Sequence, residues 1–207
     1  MTSQTINILS RHARQLNKAA QRSGTALDLP PVLFLTDQTR ISNPASVIAS
    51  LPSGSGVILR DYNAPDRGDI AQSVASACRQ GGHTLLVGLD EALARDIGAD
   101  GMHFPENALA LARSVRQRHP DWWLTAAAHS HLAIRRAHMA DADAVLVSSV
   151  FPTDSHPGAR TLGQTRFAGL VRQAPLPVYA LGGIDAKNAR QLNGTGAIGI
   201  AAISGLT

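Results

Sequence analysis

The segment Ser148 to Gly163 reads SSVFPTDSHPGARTLG and follows directly on the apolar run Ala144-Val145-Leu146-Val147. A buried run that opens into hydroxyls, prolines, glycines and one histidine has the makings of an anion-binding loop. Thr153 and Ser155 offer hydroxyl donors and His156 a titratable cation. Gly158 and Gly163 offer backbone N–H groups that an anion can approach closely. A solvated Pro/Gly loop with ordinary turn chemistry is the competing reading of this stretch alone. Two other spots weigh on the choice. Gly182-Gly183 follow the apolar run Val178-Tyr179-Ala180-Leu181, and Ile203-Ser204-Gly205 close the last run of the chain. Glycines and a small polar turn at such places leave unhindered backbone donors for a phosphate. Arg60 follows Gly56-Val57-Ile58-Leu59, and His129 follows Leu124-Thr125-Ala126-Ala127 by one residue. His129 reads either as an acid/base or ligand-orienting group or as a hydrogen-bonded structural histidine.

These residues need elements to bring them together. From Pro31 onward eight short apolar runs alternate with helix-compatible, alanine-rich stretches, the pattern of parallel strands joined by crossover helices. The remaining runs are Val32-Leu33-Phe34-Leu35, Thr84-Leu85-Leu86-Val87, Gly101-Met102-His103-Phe104 and Ile198-Gly199-Ile200-Ala201. Helices are expected over 69–80, 90–97, 108–118, 131–139 and 186–192. Eight strands with crossovers predict an α/β fold, a (β/α)₈ TIM barrel, as a single domain over 1–207; a doubly wound open sheet is the alternative. In a barrel every candidate above lies at the carboxyl end of a strand, where such folds place their chemistry. Thr207 comes a few residues after the eighth run, so the barrel is expected to lack a C-terminal eighth helix. An extra N-terminal helix, within an extension over 1–27, is expected to cover that face. Leu9, Ala13, Leu16 and Ala20 recur there at helical spacing and Gly24 is placed to end it. The same 27 residues hold Arg11, Arg14, Lys18 and Arg22 and no acid, a composition that targeting segments share.

Composition excludes several classes. The 207 residues are 44% hydrophobic and 16% charged, enough for one sizeable core. A net charge of +4 permits an anionic partner. The cations are scattered, however, and aromatics make up only 4%, so the pattern favours a small phosphorylated ligand over nucleic acid. Cys78 is the only cysteine and cannot form an internal disulfide. No apolar run approaches the ~20 residues that span a bilayer. The expectation is a cytoplasmic protein that binds a small phosphorylated substrate, with no membrane and no nucleic acid as partner.

VFPTDSHPGARTLG resembles the VFPT-x-[ST]-K-x-G-x-x-x-LG loop of the thiamine phosphate synthase and TenI-type thiazole tautomerase superfamily. PVYALGGIDAKNARQLNGTGAIGIAAIS resembles that superfamily's closing strand–GGI–helix–GA–strand segment. VLFLTD, ILRD and IGADGMHF resemble its earlier strands more loosely. The resemblance implies a TIM barrel that joins a hydroxymethylpyrimidine diphosphate to a thiazole phosphate and releases pyrophosphate. It implies that Gly182, Gly183, Ile203 and Ser204 hold the thiazole phosphate and that Arg60, Thr153 and Ser155 contact the diphosphate, where leaving-group charge must be met.

Departures from the pattern fall on the cations and the metal ligands. The Gln and Lys that flank the strand-two Arg in the synthases are Ile58 and Tyr62 here. Gly88-Leu89 stand where an Asn-Asp pair supplies a magnesium ligand, and Ala108 stands at the second magnesium Asp. His156 takes the place of the loop Lys, and Ser149 that of the tautomerase histidine. Magnesium therefore stays possible as a cofactor only through relocated acids such as Asp90 or Glu106. Three functions remain open: a synthase-like transferase using Arg60, His129 and His156, a TenI-like isomerase or lyase, and a phosphate-ligand-binding regulatory protein.

Overall fold

The computed structural model describes residues 3–24, 28–153, 158 and 160–206. Helix α1 (Ser3–Arg22) comes first, and eight strands follow: β1 (Val32–Leu35), β2 (Gly56–Leu59), β3 (Thr84–Gly88), β4 (Gly101–Phe104), β5 (Trp123–Ala128), β6 (Ala144–Val147), β7 (Val178–Leu181) and β8 (Gly199–Ala202). All pair in parallel and in chain order. The barrel closes through β1 and β8, with Leu33 opposite Ala201.

The period-2 alternation of each strand divides its side chains between two apolar layers. Leu33, Leu35, Ile58, Leu86, Leu146 and Tyr179 point inward and pack on one another. Val32, Phe34, Val57, Leu59, Val87 and Val145 point outward against the helices. Tyr179 is the largest fully buried side chain, and its Oη donates to the Pro30 carbonyl at 2.6 Å. Gly199 makes room for it, since a Cβ there would lie 2.8 Å from Tyr179 Cε1.

The crossovers are α2 (Pro44–Ser50), α3 (Arg67–Gly81), α4 (Glu91–Asp96), α5 (Ala112–Arg118), α6 (His131–Met139) and α7 (Gly163–Gln173). Caps set several of their starts: Asn43 accepts from Ser46 N, Asp90 from Leu93 N and Ser130 from Ala133 N. Two expected helices are corrected. Residues 106–111 form a 3₁₀ turn that leads into α5, with Ala108 N bonding the Pro105 carbonyl. Instead of a helix over 186–192 there is only a 3₁₀ turn at Ala189–Leu192, because Asp185 Oδ1 accepts from both Lys187 N and Asn188 N and holds that stretch as a turn.

After β8 the described chain makes a three-residue 3₁₀ turn, Ser204–Leu206. Helix α1 covers this side of the barrel, as its spacing predicted. It buries Leu9, Ala13, Leu16 and Ala20, and Asn17 Nδ2 donates to the carbonyls of Leu29 and Ile198 at 3.2 and 3.1 Å. Burying each leucine contributes about 1.5–3 kcal/mol. No described helix is long and apolar enough to cross a membrane.

Candidate active site

The carboxyl ends of the strands surround a cavity of about 290 Å³. The uppermost inward side chains make its floor: Leu35, His103, Ala127, Leu181 and Ile203. Arg40, Arg60, Tyr62, His129, Ser148, Ser149, Thr153 and Gly182 make its walls. Five residues singled out in the sequence, Arg60, His129, Thr153, Gly182 and Ile203, therefore line one cavity. Gly183 and Ser204 sit next to lining residues without being among them. Ser155 and His156 lie outside the described residues.

On the strand-seven and strand-eight side the backbone makes the wall. The chain leaving β6 continues alongside the end of β7, with Val150 N bonded to Leu181 O and Phe151 N to Gly182 O, both at 3.0 Å. The returning end of the long loop is fixed as well, through Leu162 N to Ser149 O and Gly163 N to Val150 O. Gly182 and Gly183 have φ of +95° and +66°, and a Cβ on Gly183 would run into the Pro152 carbonyl oxygen. Asn188 Nδ2 donates to the Gly183 carbonyl at 2.7 Å and holds the turn from behind. Gly205 is required too, since a Cβ there would stand 2.7 Å from the Ile184 carbonyl oxygen.

Side chains make the wall on the strand-one and strand-two side. Arg60 Nη2 pairs with Asp37 Oδ2 at 2.9 Å, and Arg40 Nε reaches the same oxygen at 3.3 Å. Two guanidiniums thus share one carboxylate beside the cavity. Asp61 is engaged separately, accepting from Thr36 Oγ1 and from Gln38 N. Arg40 was missed in the sequence, although a cation three residues after a strand-end aspartate was the available signal.

The histidines divide by environment. His129 is well exposed, and its Nδ1 pairs with Glu106 Oε2 at 2.8 Å while its N–H donates to the same oxygen. Glu106 thereby orients the imidazole at the cavity wall. His103 is buried within the barrel, with Nδ1 2.9 Å from Thr125 Oγ1. Burial above all, with the Arg60 charge acting in the same direction, pushes its pKa down to about 3, so the ring is neutral at physiological pH.

The strand-three and strand-four side does not fit a magnesium ion. Gly88, Leu89 and Ala108 carry no ligand atoms on their side chains. Asp90 caps α4 and pairs with Arg67 Nη1 at 3.2 Å, and Glu106 is taken by His129. Among the described residues no group of three or more His, Cys, Asp or Glu is arranged to hold a metal. A cation from the chain is already present, because Arg67 Nη2 donates to the Gly88 carbonyl at 2.6 Å.

The sequence pattern of the thiamine monophosphate synthase family (TMP-TENI) matches residues 32–206, which includes every strand of the barrel. The chain belongs to that family. Among its relatives, the thiamine-phosphate synthase of Thiobacillus denitrificans is 34% identical over 170 residues, covering 78% of this chain and 79% of that protein. The thiamine-phosphate synthase of Bacillus velezensis is 30% identical over 191 residues, covering 87% and 84%. The solved thiamine phosphate pyrophosphorylase from Pyrococcus furiosus superposes with a TM-score of 0.71 at 28% identity, covering 86% of each chain. Membership of the thiamine monophosphate synthase family makes this barrel an enzyme of thiamine biosynthesis, of the transferase class.

Proposed function

We propose that the protein condenses hydroxymethylpyrimidine diphosphate with thiazole phosphate to give thiamine phosphate and pyrophosphate. The observation that carries the reading is the meeting of Arg60, Thr153, Gly182 and Ile203 in one cavity of a barrel that belongs to this family. In the reaction the bond between the pyrimidine methylene carbon and the diphosphate oxygen breaks, and its electron pair leaves with the pyrophosphate. The thiazole nitrogen then forms the new bond to that carbon. No proton has to move, so the task of the site is to hold two anions and to meet charge on the leaving group.

The residues divide that task. Backbone N–H groups at Gly182, Gly183 and Ser204, beside Ile203, hold the thiazole phosphate. Arg60 meets the diphosphate together with the hydroxyls of Thr153 and Ser155, and Arg40 adds a second cation through the shared Asp37. Glu106 orients His129 to position the substrate, and His156 supplies a further cation from the long loop in its protonated form.

Pyrophosphate release in the presence of both substrates tests the reading. Turnover that Arg60→Ala lowers by about a hundredfold supports it, in keeping with the loss of one preorganised charge partner. Wild-type protein that binds thiazole phosphate but releases no pyrophosphate would overturn it. That result would favour the second reading, a phosphate-ligand-binding or isomerising role, which the side of the mouth at Gly88, Leu89 and Ala108 supports, since those side chains carry no ligand atoms.

A further inference from the structure

The misfit to magnesium on the strand-three side has a positive counterpart in Tyr62. Its ring lies against the Cα of Gly88, where a Cβ would come within 2.6 Å of Tyr62 Cε1. Arg67 backs the ring, with its guanidinium carbon 5.9 Å from the ring centre and Nη2 bound to the Gly88 carbonyl. Three residues thus fill the volume between the ends of β2 and β3. Tyr62 also lines two cavities at once, the mouth and a neighbouring one of about 410 Å³ between the loops after β1 and β2, and Arg60 does the same. Among the described residues Tyr62 Oη has no hydrogen-bond partner, whereas Arg60 is paired. Burial raises the phenol's pKa against the opposing pull of Arg60 and Arg67, so at neutral pH the hydroxyl keeps its proton and can donate it.

We propose that Tyr62 is a substrate-binding residue of this site: its hydroxyl donates to the diphosphate beside Arg60, and its ring, seated on Gly88 and backed by Arg67, takes the room a bound metal would need. The inference rests on the synthase reading for the identity of the anion. Fixed donors replace a bound cation, so the diphosphate is held by a guanidinium and a phenol that need no divalent ion to be in place.

Inorganic pyrophosphate is the probe that separates this inference from the synthase reading, because its binding can be measured calorimetrically without turnover. Wild-type protein should bind pyrophosphate in EDTA, and Tyr62→Phe, which keeps the ring on Gly88, should bind it about tenfold more weakly. The variant's melting temperature should stay unchanged. In the condensation assay the same substitution should raise KM for the pyrimidine diphosphate and leave KM for the thiazole phosphate alone, a split that a purely structural role would not give. Equal pyrophosphate affinity in the two proteins, or binding only when magnesium is supplied, would overturn the inference. Wild-type protein that binds pyrophosphate through Tyr62 but releases none from the substrates would leave it standing and remove the synthase reading.

Discussion

The two sides of the mouth are built from different materials. Toward β7 and β8 the wall is main chain, and its glycines are enforced by neighbouring carbonyls: Pro152 O against Gly183 and Ile184 O against Gly205. Toward β2 and β3 it is side chain, with Arg60 and Arg40 on Asp37 and Tyr62 on Gly88. A main-chain site tolerates few substitutions, because any Cβ collides with backbone that cannot turn aside. A side-chain site can change its chemistry by exchanging residues in contact, as a ring that fits only over a glycine illustrates. This contrast accounts for where the chain follows its family's pattern and where it leaves it.

The sharpest way to break the comparison is to add one methyl group on each side. Gly183→Ala combines a positive φ with a carbonyl clash and should destabilise the fold by about 3 kcal/mol, seen as a lower urea midpoint. Gly88→Ala, at an ordinary φ, meets the edge of the Tyr62 ring and only a looser backbone approach, the Leu59 carbonyl oxygen at 3.1 Å; it displaces the ring from its seat and should cost less, about 1–2 kcal/mol. Equal costs would erase the distinction between backbone-built and side-chain-built walls.

A second test concerns His103, the buried ring on the cavity floor. Its folded pKa of about 3 lies below the ordinary 6.5, so between those values the unfolded chain binds the extra proton. The contribution is complete above pH 6.5 and is lost as pH falls toward 3, at up to about 1.4 kcal/mol per pH unit. Unfolding free energy should therefore drop by about 2 kcal/mol between pH 6.5 and 5. His103→Gln should flatten that drop; parallel pH profiles for the two proteins would show that another group titrates there.

The smallest effect belongs to Leu89, which has φ +62° and is partly exposed at the end of β3. A leucine in the left-handed region costs roughly 1–2 kcal/mol, a strain that asparagine or glycine largely avoids. Leu89→Asn should raise stability by about 1 kcal/mol in thermal unfolding. The position is where the family pattern has aspartate, and its backbone still suits an Asx residue. No gain in stability would mean that the leucine side chain has packing worth as much as the strain.

The same contrast decides what the sequence could tell. Strands β1, β2, β4, β6 and β7 begin and end where their apolar runs do, since alternating burial in a barrel leaves a periodic trace. The glycine side of the mouth was legible for a related reason, because close approach of backbone demands a residue without a side chain. Helix α7 left a weaker mark, carrying Gly163 and Gly169 within its span. The ties of Arg60 to Asp37 and of Arg67 to Gly88 were not legible at all. They join residues from different crossovers through flexible side chains, and nothing local in the sequence records such a pairing.

Asn17 carries a consequence for how the chain comes together during synthesis. One of its two buried bonds reaches a carbonyl 181 positions later in the chain. Helix α1 leaves the ribosome before any barrel strand, yet the wall it must cover includes β8, the last of the eight to emerge. At ~5–20 residues per second its apolar stripe waits roughly 10–40 s for its partner. Through that interval the nascent chain exposes Leu9 and Leu16 beside a barrel that is not yet closed, which makes the helix a natural point of engagement for chaperones.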